Sequence, residues 1–268
     1  LKKEELIDAL SNKETDKVEI KKEDNIAVIS INRPEALNAL SREIVDELGD
    51  AADRVAEDDE IRCVILYSKD NFAAGADIKA MAECDEKSAG EFSFSPVYNR
   101  IADLEVPVIA AIEGYALGGG MELAMTADIR LADKDAKVGF PETTLGIFPG
   151  AGGTVRVPRI IGASRAMEMI LTGDIVSAAR AAEMGLINRV TDGSVYEEAL
   201  KLAGRIAKRA PVAVRLAKDT IRSGLAETDI ARAVEIEASN WASLFSTEDQ
   251  KEGMRAFIEK RKPVFRNK

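Results

Sequence analysis

The stretch VIAAIEGYALGGGMELAM, residues 108–125, runs from a short apolar segment through three consecutive glycines into a helix-like segment that carries one carboxylate. A brief Val/Ile-rich run bounded by turn residues reads as a buried strand, and glycines after it read as a tight turn or a close backbone approach. An earlier stretch, VILYSKDNFAAGAD at 64–77, repeats the order of strand, loop, small-residue turn and helix start. The same device is thus written twice. Further strand-like runs occur at 25–31 (NIAVISI), 63–67 (CVILY), 106–112 (VPVIAAI) and 128–131 (DIRL). Between the first two, Ile44, Leu48, Ala51 and Val55 recur at helical spacing behind Ser41, a ready N-cap. Strands alternating with helices predict a layered α/β core.

The glycines also bear on chemistry. Without Cβ atoms, Gly118, Gly119 and Gly120 let a ligand reach the backbone, and the first-turn N–H groups of a helix beginning near Met121 have no partner inside it. An oxyanion cradle and a crowded packing turn both fit these residues. Glu122 stands in that first turn with Met121, Leu123, Ala124 and Met125 around it, and a carboxylate among apolar neighbours is costly unless it is protonated or used. A second acid, Glu142, lies in VGFPETTLGIFPGAGGT at 138–154. Neither GxGxxG nor GxxxxGK[ST] occurs in the glycine-rich segments, so dinucleotide and P-loop readings are set aside.

Composition narrows the chemistry further. The 268 residues include no histidine, which removes imidazole bases and imidazole metal ligands and makes carboxylates the first candidates for proton transfer. The two cysteines, Cys63 and Cys84, lack the spacing of a zinc site or a disulfide scaffold, so no metal is expected. A net charge of −10 argues against nucleic acid as a partner. No segment has the length of a membrane span, and the charged start lacks an apolar signal core; a soluble, cytoplasmic protein is expected. From about Ser194 helical patterns follow one another. Pro211 can open one helix, Thr247 with Gln250 forms a capping-box pattern before the last, and Ile230, Val234, Trp241 and Leu244 share an apolar face that needs a cover. The organisation expected is an extension at 1–16, a core at 17–206 and a helical region at 207–268.

Four segments, NRPEALNAL (32–40), FAAGADIKAM (72–81), GYALGGGMELAM (114–125) and FPETTLGIFPGAGGT (140–154), together resemble the crotonase, or enoyl-CoA hydratase, family. The resemblance implies an α/β spiral of repeated ββα units followed by a helical C-terminal trimerisation region, in a homotrimer or a dimer of trimers. It implies that the amides of Ala76 and Gly119 hold a thioester oxygen. Glu122 is then the base that activates water and Glu142 the acid that protonates Cα. The implied function is reversible syn hydration of a trans-2-enoyl-CoA, of short chain, in fatty-acid β-oxidation. No separate cofactor is implied, since coenzyme A is part of the substrate. Leu37 and the segment Ala74, Ala76, Asp77, Ile78 and Lys79, with Gly118 and Gly119, would line the coenzyme A site. Residues 83–100 would border the acyl pocket, and the basic tail, with seven Lys and Arg against two Glu at 251–268, could meet phosphates. A Δ3,Δ2-enoyl-CoA isomerase and a non-catalytic acyl-CoA-binding protein are the alternatives; the presence of both glutamates favours hydration.

Overall fold

Strand β4, Val108–Ile112, is buried at every residue, which explains why its sequence is apolar without alternation. The structure, a computed structural model, describes residues 17–268, so the expected extension at 1–16 lies outside the described residues. In chain order the other strands are β1 (Val18–Glu23), β2 (Ile26–Ile31), β3 (Cys63–Tyr67), β5 (Tyr115–Leu117), β6 (Ile129–Asp133), β7 (Lys137–Gly139), β8 (Ile175–Ser177) and β9 (Arg189–Thr191). The main sheet has the order β1-β2-β3-β4-β6-β9 and is parallel from β2 onward; β1 pairs antiparallel with β2 at the edge.

The period of two along each strand sorts side chains onto two cores. Val64, Leu66, Ala110 and Ile112 face one layer, which includes Ile44, Leu48 and Val55 of helix Arg42–Ala56 and Tyr98 and Ile101 of helix Ser95–Ala102. Cys63, Ile65, Ile109 and Ala111 face the other, where Val195, Ala199 and Ala203 of helix Val195–Ala207 cover the sheet. Ser41 caps the first of these helices by accepting from the Ile44 amide, as its spacing predicts.

A second, short sheet of order β5-β7-β8 lies beside the first. Two isolated parallel bridges, Ala73 to Ala116 and Leu40 to Ala76, carry the pairing back to earlier parts of the chain. Each turn therefore contributes a strand to the main sheet, a short extended segment to the second layer and then a helix. The echo between 64–77 and 108–122 is two successive turns of this spiral. Sequence periodicity misses β1, whose VEIKKE carries exposed lysines suited to an edge, and the three-residue strands, which are too short to show a period.

Helices Pro211–Ala226, Ile230–Ser243 and Glu248–Ile258 complete the chain. Lys218 ties the first to the core: its ammonium is 2.8 Å from Asp128 and donates to the Val106 carbonyl at 2.9 Å. Thr247 caps the last helix by accepting from the Gln250 amide. The reciprocal half of the expected capping box is not formed, because the Thr247 amide donates to Leu244 and Gln250 Oε1 is buried without a partner. Of the apolar face seen in the sequence, Ile230, Val234 and Trp241 remain 75%, 55% and 62% exposed and Leu244 is half-buried, and Leu225 on the neighbouring helix is 84% exposed, so the chain's own core leaves most of that face uncovered.

Candidate active site

Helix Gly119–Ala124 begins directly after β5, and the turn between them requires glycine for two reasons. Gly118 has φ 50° and ψ −126°, a conformation closed to residues with a Cβ, and an added Cβ would lie 2.9 Å from Glu142 Oε1. At Gly120 an added Cβ would meet the Ala73 carbonyl oxygen at 2.1 Å. The triple glycine thus packs closely and admits access to the backbone at once. The packing turn is therefore present, and the same glycines leave the backbone open to approach.

The Ala73–Ala76 segment meets this turn from the preceding spiral turn. Its bridge to Leu40 uses the Gly75 carbonyl and the Asp77 amide, leaving the Ala76 N–H directed away from that pairing. The Gly119 N–H opens its helix and has no intrahelical acceptor. Among the described residues neither amide donates to another group. They lie close together: a Cβ built on Gly119 would be 3.7 Å from the Ala76 nitrogen. Two convergent free donors can hold one oxygen that gains negative charge.

Both glutamates line the same cavity, of about 550 Å³, together with Ala76, Gly118 and Gly119. Glu122 is only 3% exposed. Its Oε1 accepts from the amides of Ala151 and Gly153, each at 2.7 Å. Burial raises its pKa above the ordinary value, while those two amides and the Arg156 guanidinium pull the other way by favouring the carboxylate. Glu142, at the start of the 3₁₀ turn Pro141–Leu145, has its own backbone amide in place of such a donor pair, and its Oε2 is buried without a partner. Burial, aided by the nearby Glu122 charge, pushes it up to about 7. The pair is therefore built asymmetrically. One carboxyl has donors that favour its charge, and the other readily keeps a proton at neutral pH.

The rest of the cavity is apolar. Met81, Phe92, Phe94, Leu145, Ile147 and Phe148 line it, with Ala89, Gly90 and Ser93. Ala89, Gly90, Phe92, Ser93 and Phe94 place part of the segment 83–100 on this wall. Ala74 and Ile78 also line the cavity, whereas Leu37, Asp77 and Lys79 do not. Leu37 accepts the Ala74 amide through its carbonyl and stands half exposed beside that strand. Asp77 caps helix Ile78–Met81 and pairs with Arg33 at 3.1 Å, an internal use of its charge. In the basic tail Arg261 is engaged by Glu252 and Glu259, so it is not a spare cation. Among the described residues no group of Cys, Asp and Glu could hold a metal ion, and no helix is long and apolar enough to cross a membrane.

Sequence reasoning missed the cradle for Glu122. Its signal in the sequence is GAGG at 150–153, whose spacing fits no nucleotide motif. It also missed Tyr98, fully buried, whose hydroxyl donates to the Gly119 carbonyl at 2.7 Å and so fixes the start of the helix carrying Glu122.

Comparison with known proteins shows the family. The family model for enoyl-CoA hydratase/isomerase matches residues 21–268. The chain is 44% identical to the crotonyl-CoA hydratase of Syntrophomonas wolfei, over 93% of this chain and 97% of that protein. It is 42% identical to the short-chain-enoyl-CoA hydratase of Clostridium acetobutylicum, with the same coverage of each chain, 93% and 97%. The solved enoyl-CoA hydratase of Bacillus anthracis superposes with a TM-score of 0.91 at 38% identity, covering 94% of this chain and all 100% of that one.

Proposed function

The chain belongs to the enoyl-CoA hydratase/isomerase family, and from that premise we propose that it is an enoyl-CoA hydratase acting on short trans-2-enoyl-CoA thioesters. The observation that carries this reading is a buried and a half-buried glutamate, unequal in their hydrogen bonding, beside two free amides in one largely apolar cavity.

The reaction divides among these groups as follows. The thioester carbonyl oxygen sits on the Ala76 and Gly119 N–H groups. Glu122, as carboxylate, takes a proton from water while the water oxygen forms a bond to Cβ. The π electrons of the Cα=Cβ bond move toward the carbonyl, giving an enolate-like thioester whose oxygen the two amides stabilise. Glu142, as carboxylic acid, then gives its proton to Cα. Both new bonds form on the face presented to the carboxyl pair, which makes the addition syn. The cycle leaves Glu122 protonated and Glu142 ionised, and a proton must pass back before the next turnover. Dehydration is the same path reversed. An amide donor of this kind typically contributes about 3 kcal/mol to a transition state, and a placed acid or base about 10²–10⁴ in rate.

The donor set needs no cofactor besides the coenzyme A carried by the substrate. Leu37, Ala74, Asp77, Ile78 and Lys79 are proposed to flank the coenzyme A moiety, with Ala74 and Ile78 supported by their place on the cavity wall. The exposed apolar face of Leu225, Ile230 and Trp241 supports assembly through the helical region as a trimer or a dimer of trimers. A cytoplasmic role in fatty-acid β-oxidation completes the proposal.

An isomerase needs one base that moves a proton between carbons, and the second, hydrogen-bonded glutamate would have no task in it. Incubation with crotonyl-CoA and with a 3-enoyl-CoA separates the readings. Hydration predicts loss of the conjugated enoyl-thioester absorbance with crotonyl-CoA. Gain of that absorbance from the 3-enoyl ester, with crotonyl-CoA left untouched, would favour the isomerase. Enoyl-CoAs of increasing length and branching then read the acyl preference as relative kcat/KM.

A further inference from the structure

Helix Ser95–Ala102 carries three polar side chains at spacing i, i+3 and i+4, Ser95, Tyr98 and Asn99; the first two reach backbone that builds the site and the third holds an arginine that does. Tyr98 holds the Gly119 carbonyl. Ser95 Oγ donates to the Gly150 carbonyl at 3.0 Å, in the same peptide unit whose N–H, that of Ala151, binds Glu122. Asn99 acts through an arginine. Arg156, in helix Gly153–Ile161, donates from Nη2 to Asn99 Oδ1 at 2.7 Å and from Nη1 to the Ala151 carbonyl at 3.1 Å. The segment 150–153 is thus clamped at successive carbonyls by groups that do not line the cavity, apart from the loop's own Gly150 and Ala151.

We propose that Arg156, held by Asn99, is a positioning residue for hydration: it fixes the 151–153 amides on Glu122 and places a positive charge that keeps Glu122 the ionised member of the carboxyl pair. The inference rests on the hydratase reading. Both amides act on Oε1, which leaves the second oxygen of Glu122 for water. The half-buried guanidinium favours the Glu122 carboxylate, and the Glu122 charge in turn favours the guanidinium against its own burial. Among the described residues, the other titratable groups facing Glu122 are Glu142, from the Pro141–Leu145 turn, and Tyr98, from the Ser95–Ala102 helix. Both are disfavoured in their charged forms, the acid by burial and the phenol by burial with the glutamates near it. Asp103 and Arg222 act on Arg156 from farther out. Arg156 is therefore the cation that biases the pair. A lysine would keep the charge and lose the two-pronged hold on Ala151 and Asn99.

The test compares Arg156→Met, Arg156→Lys and Asn99→Ala in the full-length protein, with crotonyl-CoA hydration over pH and ¹³C NMR titration of the Glu122 carboxyl in the ligand-free protein. In Arg156→Met, kcat falls at least about 10-fold with KM within about twofold, and both the acid limb of the profile and the Glu122 midpoint move to higher pH. Arg156→Lys restores the limb but not the full kcat. Asn99→Ala, at an exposed site, lowers kcat about 3-fold or more with the limb in place, and it decides the matter if Arg156→Met does not fold. A purely structural arginine would lower thermal stability and leave kcat per folded site, the acid limb and the Glu122 midpoint unmoved, and that result overturns the proposal. Failure of the wild type to hydrate crotonyl-CoA would instead remove the hydratase reading, and the Glu122 titration in the variants would still decide what Arg156 does.

Discussion

Replacing Glu142 by Gln should make the protein more stable and nearly inactive, and the stability gain should depend on pH in a defined direction. The carboxyl ionises at about 7 when folded, against an ordinary 4.5. The native state then holds a proton that the unfolded chain has lost at any pH between these values, so stability declines as pH rises from about 4.5 and the full penalty is present above about 7. At about 1.4 kcal/mol per pH unit the shift corresponds to about 3 kcal/mol. The group retains contact with solvent through the cavity, which screens part of the effect, so about 1–2 kcal/mol is the working figure. Gln carries no charge to bury. Urea unfolding at fixed protein concentration should place Glu142→Gln level with the wild type at pH 4.5 and about 1–2 kcal/mol above it at pH 8.5, with unchanged m-value. Loss of the proton donor should lower kcat by about 10²–10⁴ in the same sample. A variant that gains nothing at pH 8.5, or gains only at low pH, would refute the claim that burial holds this carboxyl protonated.

Hydration kcat/KM should decline as pH rises through about 7, as Glu142 loses the proton it must donate, a limb absent from the residual activity of Glu142→Gln. Gly118→Ala forces a Cβ into a positive-φ site and against the Glu142 carboxylate, and should lower kcat at least about 10²-fold by displacing that acid and the neighbouring Gly119 amide; steady-state kinetics on folded protein checks it. Lys218→Ala should destabilise by about 2–4 kcal/mol in urea, because Asp128 loses its buried partner, while kcat per folded molecule holds. Cys63, fully buried with its thiol pushed up to about 12, should resist a thiol reagent in the native protein while Cys84, partly exposed, reacts. Trp241→Glu should shift the sedimentation coefficient toward the monomer if the exposed helical face is a subunit contact.

Much of this was legible in the residues because local chemistry and global position agree there. The apolar runs of β2, β3, β4 and β6 are central strands, Ser41, Pro211 and Thr247 mark helix starts, and the paired strand–turn–helix segments are successive turns of one spiral. Gly118 and Glu122 read as chemistry because glycine and a lone buried acid are costly choices elsewhere. What escaped the sequence depends on contacts between segments far apart in the chain. The donors on Glu122 come from residues 29 and 31 positions away, and Ala151 and Gly153 act through amides that any residue possesses. Asp77, which the family resemblance sets beside coenzyme A, also pairs with Arg33, 44 residues earlier, a contact no spacing encodes. The elevated proton affinity of Glu142 likewise arises from burial, which no spacing encodes.

The most direct test of the central claim is hydration of crotonyl-CoA, followed by loss of enoyl-thioester absorbance, for wild type, Glu122→Gln and Glu142→Gln side by side, with coenzyme A thioester affinity measured on each. A working wild type, variants each slowed at least about 10²-fold, and affinity preserved within a few-fold would be the expected pattern. A folded wild type that adds no water, or glutamine variants that hydrate as fast as the parent, would contradict it.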